Sequence, residues 1–125
     1  MQKNNLVVLA VDDDLINLKL LKSMLKKNPN IAEVIEAKNG SDAIGHLKAR
    51  SDIDLILLDI IMPIMGGIEM LKVVRADDNL NQVPIIVLTT DETKKSEALE
   101  FGANGFLMKP IRNDELLKKI ATVII

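Results

Sequence analysis

Four polar clusters stand directly behind apolar runs in this sequence. Asp12-Asp13-Asp14 follows Leu6 to Val11, Asp59 follows Ile53 to Leu58, Thr89-Thr90 follows Pro84 to Leu88, and Lys109-Pro110 follows Gly105 to Met108. Carboxylates brought close together repel, and a hard divalent cation with oxygen ligands relieves that repulsion better at pH 7 than protonation does. Asp12, Asp13 and Asp59 together therefore point to Mg2+ or Mn2+. A carboxylate beside such an ion, with an ammonium at Lys109 and a hydroxyl at Thr89, has the parts of an aspartyl-phosphate site: a nucleophile, and cationic and hydroxyl groups for phosphoryl oxygens. Asp14 reads differently, as the residue that caps the following helix.

Those clusters converge only if the apolar runs are strands of one parallel sheet. Five short runs recur, Ile31 to Ile35 being the second in chain order, and helical periodicity separates them, clearest at Leu15, Leu18, Leu21 and Leu25 and again at Leu116, Leu117, Ile120 and Val123. Asn28-Pro29 ends the first helix, Asn39-Gly40-Ser41 supplies a turn followed by an N-cap, and Gly102 stands where a fourth helix, about 92 to 101, must stop. Strand and helix alternating five times predict a doubly wound α/β fold with five parallel strands and five helices. The runs at 6, 53 and 84 are almost wholly apolar, as strands covered on both faces must be. The second run carries Glu33 and the fifth is short, so both are expected at the edges, which suits the order 2-1-3-4-5 of flavodoxin-like sheets. In such a sheet the carboxyl ends of the strands share one rim, and ligands bind there.

Composition narrows the function. The chain has 125 residues, 48% hydrophobic and 27% charged, which suits one domain, expected to span 1–125. There is no cysteine, so disulfides, thiolate metal sites and cysteine nucleophiles are excluded. Sixteen Lys and Arg against eighteen Asp and Glu leave a net charge of −2, and two Phe are the only aromatic residues, so nucleic acid is not an expected partner. The first apolar run is too short to span a membrane, and the expected location is cytoplasmic. His46 sits beside Lys48 and Arg50 and reads as an exposed helical residue. Met62, Met65, Met70 and Met108 read as packing residues.

With these residues in view, the chain resembles the receiver domain of bacterial two-component response regulators over nearly its whole length. The acidic pair Asp12-Asp13, the stretch from Leu57 to Gly67 around Asp59, Thr89, and Lys109-Pro110 carry the likeness. It implies a phosphorylation switch of the stand-alone, chemotaxis-regulator kind. Asp59 accepts a phosphoryl group from a sensor histidine kinase or phosphotransfer protein, and the domain supplies much of the catalysis itself without being an enzyme for a separate substrate. It also implies Asp13, Asp59 and the Ile61 backbone carbonyl as direct Mg2+ ligands, Asp12 as a ligand through water, and Thr89 and Lys109 as contacts to the phosphoryl oxygens. Thr89 and the aromatic side chain of Phe106 would form the switch, remodelling the surface of the fourth helix and fifth strand for a downstream protein target. The Lys109-Pro110 bond is expected to be cis, and the protein a monomer or weak dimer.

Three rivals fit less well. An aspartate-nucleophile phosphohydrolase wants an acid two residues after the nucleophile, where Ile61 stands. A flavin module needs a hydroxyl-rich phosphate loop where three aspartates lie. A receiver-shaped module that is never phosphorylated has no use for all five site residues. Phe106 lacks the hydroxyl of the tyrosine common at its position, and Ile61 and Thr90 are bulkier or less polar than usual, which restricts water near an acyl phosphate. Self-dephosphorylation is therefore expected to be slow, and the phosphorylated lifetime, followed by intact mass, should shorten in Ile61→Asn and in Thr90→Ala.

Overall fold

The computed structural model describes residues 4–62 and 65–124. Its elements run β1 (Leu6–Val11), α1 (Leu15–Lys26), β2 (Ile31–Ala37), α2 (Gly40–Ala49), β3 (Leu55–Asp59), α3 (Gly67–Ala76), β4 (Ile85–Thr89), a 3-10 turn (Glu92–Lys94) leading into α4 (Lys95–Glu100), β5 (Gly105–Met108) and α5 (Asn113–Val123). All strand pairings are parallel, in the order β2-β1-β3-β4-β5. Five helices, the expected strand order and both expected edge strands are present.

Alternation along the strands builds two cores. Val7, Leu9, Val11, Ile56, Leu58, Ile85 and Val87 point to one face, where they meet Ala43 and Leu47 of α2, Met70, Leu71 and Val74 of α3, and Ala98 of α4. Leu6, Val8, Ala10, Leu55, Leu57, Ile86 and Leu88 point to the other, against Leu18, Leu21 and Leu25 of α1 and Leu116 and Ile120 of α5. Every residue of β1, β3 and β4 is buried, so the three central strands are fixed on both sides. Among the described residues no helix is long and apolar enough to cross a membrane.

The ends of elements depart from the sequence reading. Strand β2 continues past Ile35 to Ala37 because every residue from Val7 to Val11 has a partner on it, Val11 pairing with Ala37. Strands β3 and β4 begin and end later than the apolar runs, taking in Asp59 and Thr89 and leaving Ile53 and Pro84 outside. The N-cap of α2 is Asn39 rather than Ser41: its side chain accepts from the Asp42 N–H at 2.8 Å. Asp14 caps α1 as expected, accepting from the Ile16 N–H at 2.8 Å. Met70 is buried and Met62 and Met65 pack on the core, but Met108 is exposed at 38%. It closes the edge strand β5, whose pattern of buried and open positions leaves that end uncovered.

Arg75 closes the rim opposite the strand carboxyl ends. Its guanidinium donates to the carbonyls of Gly102 at 3.0 Å, Val83 at 2.8 Å and Asn81 at 3.2 Å, and to Asn104 Oδ1 at 2.8 Å. One side chain thus joins the end of α3 to the α3–β4 and α4–β5 loops. Removing it strands acceptors in a half-buried setting. Arg75→Leu is expected to lower the free energy of unfolding by about 2–4 kcal/mol in a denaturant titration followed by circular dichroism, with an unchanged slope.

Candidate functional site

The order of the sheet places the ends of β1 and β3 side by side, with β4 and β5 following. Val11 pairs with Leu58 and Asp59 with Leu88, so the residues just past β1 face the last residue of β3 across one strand spacing. Carboxylate oxygens of Asp12, Asp13 and Asp59 lie within 4.8 Å of one another. The ammonium of Lys109, arriving just after β5, stands 3.0 Å from Asp12 Oδ2 and 3.5 Å from Asp59 Oδ1. The Lys109-Pro110 bond is cis, as expected.

Each acid is held differently. Asp12 is buried and both its oxygens are engaged, Oδ1 by the Asp14 N–H at 2.9 Å and Oδ2 by Lys109. Asp59 is buried too, and that burial pushes its carboxyl up to about 6, against the lowering pull of the Lys109 charge and a backbone hydrogen bond at Ile61, while the nearby Asp12 charge adds to the rise. Burial pulls the Lys109 ammonium down, but its hydrogen bond to Asp12 and the charges of Asp59 and Asp12 outweigh this and hold it above its usual value. Asp13 is exposed, and among the described residues it has no hydrogen bond or ion pair.

The remaining predicted residues lie on the neighbouring strands and on the segment after β3. Thr89 closes β4 fully buried, and its hydroxyl oxygen accepts from the Asp91 N–H at 3.1 Å. Asp91 in turn caps the 3-10 turn by accepting from the Thr93 N–H at 3.0 Å. Ile61 is 59% exposed beside the crevice. Phe106 is half-buried on β5 against the core of α2, α3 and α4, with Lys95 Nζ 6.0 Å from its ring centre. His46 lies away from this cluster on α2, 3.6 Å from Asp42. Pro63 and Ile64 of the expected phosphoacceptor loop lie outside the described residues.

Comparison with known proteins matches residues 8–121 to the model of the response regulator receiver domain. The chain belongs to that family. This receiver is 33% identical over 119 residues to chemotaxis protein CheY1 of Helicobacter pylori, covering 94% of this chain and 95% of that one. Its fold matches the crystallised chemotaxis protein CheY4 of Vibrio cholerae with a TM-score of 0.85 at 34% identity, over 94% of this chain and 98% of that one. It likewise matches the receiver domain of sensor histidine kinase PA1611 from Pseudomonas aeruginosa, with a TM-score of 0.85 at 27% identity over 96% and 98% of the two chains. That structure holds a magnesium ion coordinated in its active site cleft. The donor set of the present receiver fits such an ion: three carboxylates, one exposed and without a partner among the described residues, and one pushed toward protonation by its burial and by the nearby Asp12 charge.

Because the Asp59 carboxyl titrates near 6 in the folded chain and near 3.8 when unfolded, the folded state holds more protons between those values. Stability of the metal-free receiver therefore falls as pH rises through that window and levels off above it. In chelator, Asp59→Asn should stabilise the fold by about 1–3 kcal/mol at pH 7 and by almost nothing near pH 4, measured by thermal unfolding.

Proposed function

We propose that this receiver is a phosphorylation-switched signalling protein with Asp59 as its phosphoacceptor and residues 1–125 acting as one domain. The observation that carries the reading is the buried Asp59 carboxylate at the end of a central strand, grouped with Asp12 and Asp13 and 3.5 Å from the Lys109 ammonium. In the reaction, an Asp59 oxygen attacks phosphorus, the P–N bond to the donor histidine breaks, and its electron pair returns to the imidazole. Lys109 turns from the carboxylates to the incoming phosphoryl oxygens. Thr89 has its oxygen occupied by Asp91 and its hydroxyl proton free to donate to them. Mg2+, held by Asp13, Asp59 and the Ile61 carbonyl and through water by Asp12, would supply positive charge to the phosphoryl oxygens. Asp12 suits the outer role because both its oxygens already serve the protein. No separate substrate is turned over: the chain catalyses its own phosphorylation and dephosphorylation.

The partners follow from the surfaces around the site. Leu15, Ile16 and Leu20 of α1 are 59%, 70% and 58% exposed, beside a groove that Asp12, Lys109 and Pro110 help to line. That apolar rim suits a histidine kinase or phosphotransfer protein presenting its phosphohistidine to Asp59. Rotation of Thr89 toward the phosphoryl group frees the Asp91 N–H, disturbs the turn before α4, and lets Phe106 repack, offering the α4 and β5 surface to a downstream protein.

Incubation with a small acyl phosphate and Mg2+ should add one phosphoryl group by intact mass, and Asp59→Asn should abolish it; an adduct that persists in Asp59→Asn refutes the assignment. Lys109→Met should slow the transfer by about 100-fold. Ile16→Asp should leave transfer from the small donor unchanged while slowing transfer from the cognate kinase.

A further inference from the structure

Six glycines occur in the chain, and Gly67 differs from the rest in what surrounds it. A Cβ there would stand 2.5 Å from the Asp59 carbonyl oxygen, 2.6 Å from Ile60 Cα and 3.2 Å from the Asp59 carbonyl carbon. All three are backbone atoms. At Gly40, Gly102 and Gly105 the close neighbours are side-chain atoms of Met65, Arg75 and Lys119, Gly66 meets backbone only at 3.7 Å and beyond, and Gly45 has nothing within 4 Å. Nor is Gly67 needed for its dihedral angle, since the positive-φ glycine among the described residues is Gly102. What the position requires is room.

The contact is also bonded: the Gly67 N–H donates to the Ile60 carbonyl at 2.8 Å. The first turn of α3 is therefore seated directly on the Asp59–Ile60 peptide, the backbone that carries the Asp59 side chain. We propose that Gly67 is a positioning residue for the phosphoacceptor, its missing side chain letting α3 set where the Asp59 carboxylate stands relative to Asp12, Asp13 and Lys109. This rests on the aspartyl-phosphate reading. An added methyl has no soft neighbour to displace, so helix and strand end must separate by about 1 Å to reach ordinary contact distance. A shift of about 1 Å in a reacting group can cost about 100-fold in rate.

The test compares Gly67→Ala with Gly102→Ala, which strains a left-handed turn far from the site, and with Gly45→Ala, which meets nothing. Unfolding temperature, Mg2+ affinity by calorimetry, and the phosphorylation rate with a small acyl phosphate are measured for each. Gly67→Ala should phosphorylate 10- to 100-fold more slowly and bind Mg2+ more weakly. Gly102→Ala should lose stability with wild-type rate and affinity, and Gly45→Ala should change neither. Wild-type rate and affinity in Gly67→Ala overturn the proposal, as does an equal loss in Gly102→Ala. Should Gly67→Ala fail to fold, hydrogen exchange in the wild-type chain decides: added Mg2+ must protect the Gly67 amide more than the Gly102 amide, and equal protection overturns the proposal. A wild-type chain that takes no phosphoryl group but binds Mg2+ would instead sink the aspartyl-phosphate reading, leaving the comparison of Mg2+ affinities to judge Gly67.

Discussion

Repulsion among carboxylates at one rim of a parallel sheet is the constraint on which the rest of this structure depends. The strand order puts the end of β1 beside the end of β3, so Asp12, Asp13 and Asp59 cannot avoid one another. One ammonium is shared between two of them. It does not suffice for Asp59, whose burial, with the nearby Asp12 charge, keeps its carboxyl above its ordinary range. Such a group of charges is costly without added positive charge, and a cation among the three carboxylates would relieve it. The cost is tolerable because the strands beneath are buried on both faces and hold their ends in place.

Rigidity and compliance are divided across the sheet. Beneath Asp59 lie two apolar cores, and α3 is seated against its peptide. Around Thr89 the structure is lighter: a 3-10 turn capped by Asp91 leads into α4, a six-residue helix with Ala98 as its one buried residue. A charge placed on Asp59 would therefore meet an unyielding floor and a yielding neighbour, which is the physical basis for proposing a response at α4 and β5.

Much of this was legible in the sequence. The buried strands show as unbroken apolar runs, and the polar residues that close them sit at the site because parallel strands end on one side. Element ends were less legible, because Asp59 and Thr89 are polar yet remain in register with Leu88 and Met108, and pairing decides where a strand stops. The cap at Asn39 rather than Ser41 is not legible, because either side chain can accept from the first turn and only the backbone entering α2 selects between them. Arg75 gave no local signal, and Gly67 stood in the stretch that carries the family likeness with no sign of what it touches. Each matters through contacts with another segment, Gly67 with the end of β3 and Arg75 with loops 6 to 29 positions along the chain, and one sequence carries no record of such approach.

The central claim is that these side chains gather around a divalent ion and a phosphoryl group on Asp59. A crystal structure of the chain with Mg2+ and beryllium fluoride, a mimic of the acyl phosphate, tests it most directly. The account predicts the fluoride group on the Asp59 carboxylate, touched by Lys109 and Thr89, with the metal on Asp13 and Asp59. A crevice that binds neither, or an adduct on another residue, contradicts it.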